Sequence, residues 1–133
     1  MIVHPPAVAL VVLDGGDIVL VRQRRPGADG EVLEVPAGKV ETGESATAAA
    51  DRELAEECGL AVSAWVELGS FWAAPAYSTE RVTVLAGTCS GTAEAPRDAD
   101  EEIEVVRLPA AEALLRVEDA GSVAALGLWM VRN

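Results

Sequence analysis

Glu53, Glu56 and Glu57 are spaced i, i+3 and i+4 in a stretch without proline. On a helix that spacing puts three carboxylates on one face within two turns. Like charges four apart cost a helix a few tenths of a kcal/mol per pair, so three of them with Arg52 alongside favour a hard-cation site built from oxygen ligands. The spacing alone leaves a solvated acidic face open as the alternative. The wider pattern points the same way. Of the 22 acidic residues, six fall between Glu41 and Glu57 and six between Glu94 and Glu104. Such clusters suit a divalent cation, or a surface that aids solubility. The opposite charge is compact too: Arg22, Arg24 and Arg25 sit together, and Lys39 is the only lysine. Acidic clusters with a local arginine group suggest metal ions and an anionic small ligand sharing one cleft.

The elements that must position these groups are readable from pattern. Ala7 to Leu13 is apolar and valine-rich, Asp14-Gly15-Gly16-Asp17 is a turn, and Ile18 to Arg22 resumes, which predicts a β-hairpin. Pro26 to Gly30 reads as a loop, and Val32 to Val35 as a short strand ended by Pro36. Ser45 to Cys58 reads as a helix with Ser45 as N-cap and Gly59 as its stop, Ala50, Leu54 and Cys58 facing a sheet. Ala61 to Phe71 and Arg81 to Ala86 read as strands, Ser90 to Asp100 as a loop and Ile103 to Leu108 as a strand. Pro109 opens a helix through about Leu115, and a last apolar helix runs from Gly121 to Val131. The order predicts an α/β or α+β sandwich of one domain.

Composition removes other classes. The 133 residues are half apolar and 24% charged, as in a globular domain and unlike a disordered chain. The longest apolar stretch, Pro5 to Leu13, falls far short of the roughly 20 residues of a membrane helix, and no secretory signal is expected. The net charge of −12 repels a phosphate backbone, so no nucleic-acid partner and no membrane are expected. Two cysteines, Cys58 and Cys89, make neither a disulfide framework nor a four-ligand zinc set. A reduced, cytoplasmic enzyme or binding domain is the expectation.

Reading outward from the three glutamates gives a longer pattern. Gly38 is followed after five residues by Glu44, and after seven more by Arg52-Glu53-Leu54-Ala55-Glu56-Glu57-Cys58-Gly59-Leu60. This resembles the Nudix box, G-x5-E-x7-R-E-U-x-E-E-x-G-U, at every fixed position from 38 to 60. The resemblance implies the Nudix fold, a mixed β-sheet between α-helices across residues 1–133. It also implies hydrolysis of a nucleoside diphosphate linked to another moiety. By the same resemblance Glu53, Glu56 and Glu57 hold Mg2+, with Mn2+ as the alternative, and the carbonyl of Ala37 joins them. Arg52 orients a neighbouring carboxylate and Glu44 supports the loop–helix junction or an outer metal. Each has a plainer reading, a surface ion pair for Arg52 and a helix N-terminal charge for Glu44.

The flanking segments Val21 to Pro26, Leu33 to Glu41, Ser70-Phe71-Trp72, Pro75, Ser78-Thr79-Glu80 and Asp98 to Val106 are similar to the ADP-ribose pyrophosphatase group. That similarity implies Arg25 on a substrate phosphate, Glu80 near the terminal ribose or the metals, and Pro75 shaping the far pocket. Glu101 is the chosen loop carboxylate that activates water, with Asp100 and Glu102 as rivals and Glu56 or Glu57 next. Trp72 can stack on a base but reads better as core, as do Trp65 and Trp129; His4 is assigned no role. The group pairs as a homodimer that exchanges N-terminal strands, whereas this chain begins almost at the core sheet and carries Pro75-Ala76 for the usual Pro-Gly. ADP-ribose or a related sugar nucleotide is the expected substrate. The alternatives are a nucleoside triphosphate and a non-catalytic nucleotide-binding module. Modules that have lost catalysis typically lack box carboxylates, and all three are present here.

Overall fold

The computed structural model describes residues 1–96 and 102–132. Eight strands form one mixed sheet: β1 Ala7–Asp14, β2 Asp17–Arg25, β3 Gly30–Glu34, β4 Ala37–Lys39, β5 Leu60–Val62, β6 Val66–Trp72, β7 Arg81–Thr92 and β8 Glu104–Pro109. The main path runs β3-β2-β1-β7-β5, with β4 on β1, β6 on β7 and β8 on β2. β1 and β7 run parallel from Ala7↔Val82 to Leu13↔Thr88; the other strand pairs are antiparallel. Helix α1, Ala46–Cys58, covers one face, and α2, Ala110–Arg116, with α3, Ala120–Arg132, covers the other. The fold is therefore the expected α+β sandwich.

The unbroken apolar run of β1 follows from this burial on both faces. Ala7, Ala9 and Val11 pack with α2 and α3, whereas Val8, Leu10 and Val12 pack with Ala49, Ala50, Leu54 and Cys58 of α1. A buried leucine contributes about 1.5–3 kcal/mol. Leu54, fully buried, thus outweighs the like-charge repulsion on the other face of α1. The helix ends are as the sequence predicts. The Ser45 hydroxyl accepts from Ala48 N at 3.1 Å, and Gly59, at φ 68°, donates its N–H to Ala55 O.

Three expectations need correction. The strand expected from Ala61 to Phe71 is two strands, because residues 63–65 cross over β7 at Gly87. A Cβ there would overlap Val62 Cγ1 and lie 3.0 Å from Ala64 O, so the crossing needs a glycine that lies far away in sequence. Second, β7 continues to Thr92: Leu60↔Thr92, Ala61↔Gly91 and Val62↔Cys89 pair with β5, so residues 90–92 are strand and not loop. Third, β4 was not foreseen, since its three residues carry no periodic signal and its hydrogen bonds go to distant β1.

That small strand makes the site. β2 pairs with β1 only near their turn, at Leu13↔Ile18 and Asp14↔Asp17. Beyond Val21 it pairs with β3, while Ala7 to Ala9 of β1 pair with β4. The hairpin therefore forks, and β3-Val35-Pro36-β4 runs through the fork. Where the backbone changes partners, Val35 N donates to the buried Ser122 Oγ at 2.9 Å, and Pro36 O accepts from Leu10 N.

Candidate active site

A cavity of about 770 Å³ opens at this fork, between the N-terminal half of β1, β4, α1 and the start of α3. One wall is the acidic face of α1, organised by Arg52. Its Nε and Nη2 donate to both oxygens of Glu44 at 2.9 and 3.0 Å, and Nη2 also donates to Lys39 O at 2.8 Å. Nη1 donates to Glu53 at 2.8 Å and to Glu56 at 3.4 Å. Glu44 also accepts from Glu41 N at 3.0 Å, which fixes the loop before the helix. The Arg52 hydrogen bonds hold the Glu44 carboxyl down to about 2, and Glu44 in turn raises the Arg52 pKa.

The three box glutamates differ in depth. The Glu56 side chain is 38% exposed, whereas Glu57 is buried at 7%. Burial first, and then the charge of Glu53, push the Glu57 carboxyl up to about 9 despite a hydrogen bond from the Ala37 backbone N–H. Burial also raises Glu53. Gly38 lies so close that a Cβ on it would overlap the Glu53 carboxyl. Among the described residues no three such side chains are already gathered around one point. Arg52 explains this, since it draws Glu53 and Glu56 to itself. The donor set still fits a hard divalent cation, being all oxygen with buried acidity that a cation would relieve.

Across the cavity Arg25 donates from Nε and Nη2 to the two oxygens of Glu34, at 2.7 and 3.1 Å. That pairing raises the Arg25 pKa above its ordinary value, against the opposing effect of burial. At the rim Glu80 lines the cavity with His4, whose Nδ1 lies 3.7 Å from its carboxylate.

Of the residues singled out from sequence, Ala37, Arg52, Glu53, Glu56, Glu57, Arg25 and Glu80 all line this cavity. Pro75 does not: it is exposed in the turn at 75–77. Glu101 and Asp100 lie outside the described residues, and Glu102 is exposed and off the lining. The core reading of Trp72 is overturned. It is 53% exposed, with the Arg81 guanidinium 4.6 Å over its ring. Trp65 and Trp129 do pack, partly buried, against the two cores. His4 and Glu34 were missed as lining residues. His4 lacked a partner in sequence because Glu80 reaches it only through the fold. Glu34 stands beside the box, but its neighbour Arg25 is nine positions away.

The NUDIX domain model matches residues 3–126. The chain belongs to the NUDIX domain family. It is 36% identical over 118 residues to an ADP-ribose pyrophosphatase of Bacillus subtilis (strain 168), covering 86% of this chain and 64% of that protein. It is 34% identical over 119 residues to a methanol dehydrogenase activator of Bacillus methanolicus, covering 87% of this chain and 64% of that one. The chain thus spans just under two thirds of the length of these curated relatives. A solved NUDIX-like fold, described as the crystal structure of ADP compounds hydrolase, superimposes with a TM-score of 0.88 at 27% identity, covering 97% of this chain and 74% of that one. Among the described residues no helix is long and apolar enough to cross a membrane.

Proposed function

We propose that the chain hydrolyses the phosphoric anhydride of a nucleoside diphosphate linked to another moiety, with Mg2+ as cofactor. The lead substrate is ADP-ribose, giving AMP and ribose 5-phosphate. The observation that carries this reading is one cavity lined both by the carboxylates of Glu53, Glu56 and Glu57 and by Arg25. Its size suits a nucleotide-sized ligand. Among the described residues seven carboxylates and three Lys or Arg residues line it, so a diphosphate enters favourably only with cations between it and the acids. Glu53, Glu56, Glu57 and the Ala37 carbonyl would hold them. Bound Mg2+ supplies charge neutralisation at the phosphoryl oxygens and a lower pKa for bound water. Arg52 keeps Glu53 and Glu56 in register, and Arg25 offers a fork to phosphate oxygens. Water adds across the P–O–P bridge, leaving two phosphate monoesters.

The substrate choice draws on the relatives named ADP-ribose pyrophosphatase and on the structure named ADP compounds hydrolase. A panel of nucleoside diphosphate derivatives and nucleoside triphosphates, assayed with Mg2+ or Mn2+, tests it. ADP-ribose or a similar sugar nucleotide should exceed every triphosphate in kcat/KM by about tenfold or more. A preference for dGTP would remove the substrate choice and leave the anhydride chemistry standing. A homodimer and cytoplasmic residence belong to the same proposal.

Glu101 is proposed as the general base. In support, Ile103 lines the cavity, so the chain just after Glu101 is at its edge. Glu101→Gln should lower kcat by about a hundredfold with little change in KM, as expected for a group acting in the transition state. Asp100→Asn and Glu102→Gln should do less. Unchanged kcat in all three would move the base to Glu56 or Glu57.

A further inference from the structure

Arg25 ends β2, just before the turn Pro26–Ala28. A side chain there has many rotamers to lose. Its partner has the least exposed carboxylate of the ion pairs among the described residues. The Glu34 side chain is 10% exposed, while the Arg25 side chain is 49% exposed. Glu34 is therefore an anchored carboxylate, and its backbone is anchored too, because the next residue, Val35, donates its N–H to the buried Ser122 Oγ. The fork from Nε and Nη2 places one edge of the guanidinium on Glu34. A guanidinium carries five N–H donors in a plane. With Nε and one Nη2 hydrogen engaged, both Nη1 hydrogens and the second Nη2 hydrogen remain on the adjacent edges. The edge shared by Nη1 and Nη2 is itself a fork that matches two oxygens of one phosphate.

We propose that Glu34 is a positioning residue, which grips the Nε side of Arg25 so that the Nη1–Nη2 edge is presented to a diphosphate in the cavity. This rests on the reading that the cavity takes a diphosphate. Glu34 itself touches no substrate. It replaces the search of a flexible side chain by one orientation set before the ligand arrives.

The test is a double-mutant cycle between Glu34→Gln and Arg25→Ala, read by calorimetric binding of adenosine 5′-(α,β-methylene)diphosphate with Mg2+ and by steady-state kinetics on ADP-ribose. Glu34→Gln should weaken binding of the analogue and raise KM by about tenfold, with kcat changed much less. Arg25→Ala should do at least as much, and adding Glu34→Gln to it should cost nothing further. Glu34→Asp keeps the charge but withdraws the oxygens by one methylene. It should also raise KM, and it carries the cycle if Glu34→Gln does not fold. Wild-type affinity in both Glu34 variants, or fully additive losses in the double variant, would overturn the proposal. Were the wild-type chain to bind no analogue and cleave no anhydride, the diphosphate reading would fall and this inference with it. Cleavage with unchanged KM in the Glu34 variants defeats the inference alone.

Discussion

Glu57→Gln should abolish nearly all turnover, by about a hundredfold or more, while the protein without divalent cation becomes more stable. The two effects have one cause. Glu57 is buried and its carboxyl is pushed up to about 9 by that burial and by Glu53. A folded-state value above the unfolded one means that the native state favours the proton. The stability this contributes is complete below the ordinary carboxylate value of 4.5 and is lost as the pH rises toward 9. Wild-type protein in a chelator should therefore lose melting temperature across that window. Glu57→Gln, neutral throughout, should lose less and melt several degrees higher at pH 8. Saturating Mg2+ should reverse the order, because it favours the charged wild-type site and not the amide. Thermal melts at several pH values, with chelator and with Mg2+, check this directly. A variant that melts like wild type under all these conditions, with normal turnover, would exclude Glu57 from the ligand set.

Gly38→Ala should produce the second large effect without unfolding the chain. The added Cβ would occupy the place of the Glu53 carboxyl group, and the flexible end of that side chain can swing away at little cost to stability. Swinging away breaks its 2.8 Å hydrogen bond from Arg52 and removes one carboxylate from the cluster. Activity should fall at least about tenfold, and the Mg2+ concentration for half-maximal rate should rise, as when ligand orientation is lost. The melting temperature in chelator should move by only a few degrees. Kinetics against Mg2+ concentration, paired with a melt, separates these outcomes. Unaltered Mg2+ dependence would show that Glu53 does not need the position it holds beside β4.

The sequence by itself determined the local features of this protein. The apolar runs of β1 and β2, the turn between them, and helix α1 with its Ser45 cap and Gly59 stop depend on neighbours within a few residues. Periodicity and capping chemistry therefore reveal them. The box spacing from Gly38 to Leu60 likewise placed Glu53, Glu56 and Glu57 on one helix face, and with them the family. Depth and partnership are different in kind. Whether a carboxylate on that face is buried, like Glu57, or half-exposed, like Glu56, depends on what packs against the helix from β4, a strand with no signal of its own. The crossing at Gly87 and the lengthening of β7 arise from pairing with β5, 25 or more residues away. The Arg25–Glu34 fork follows from β2 leaving β1 to pair with β3, His4 beside Glu80 from the bridge between Ile2 and Ser78, and the exposed Trp72 under Arg81 from the pairing of β6 with β7. Helical spacing is set by bonds along one segment. Burial and charge pairing are set by distances across several, so only the tertiary structure could decide them.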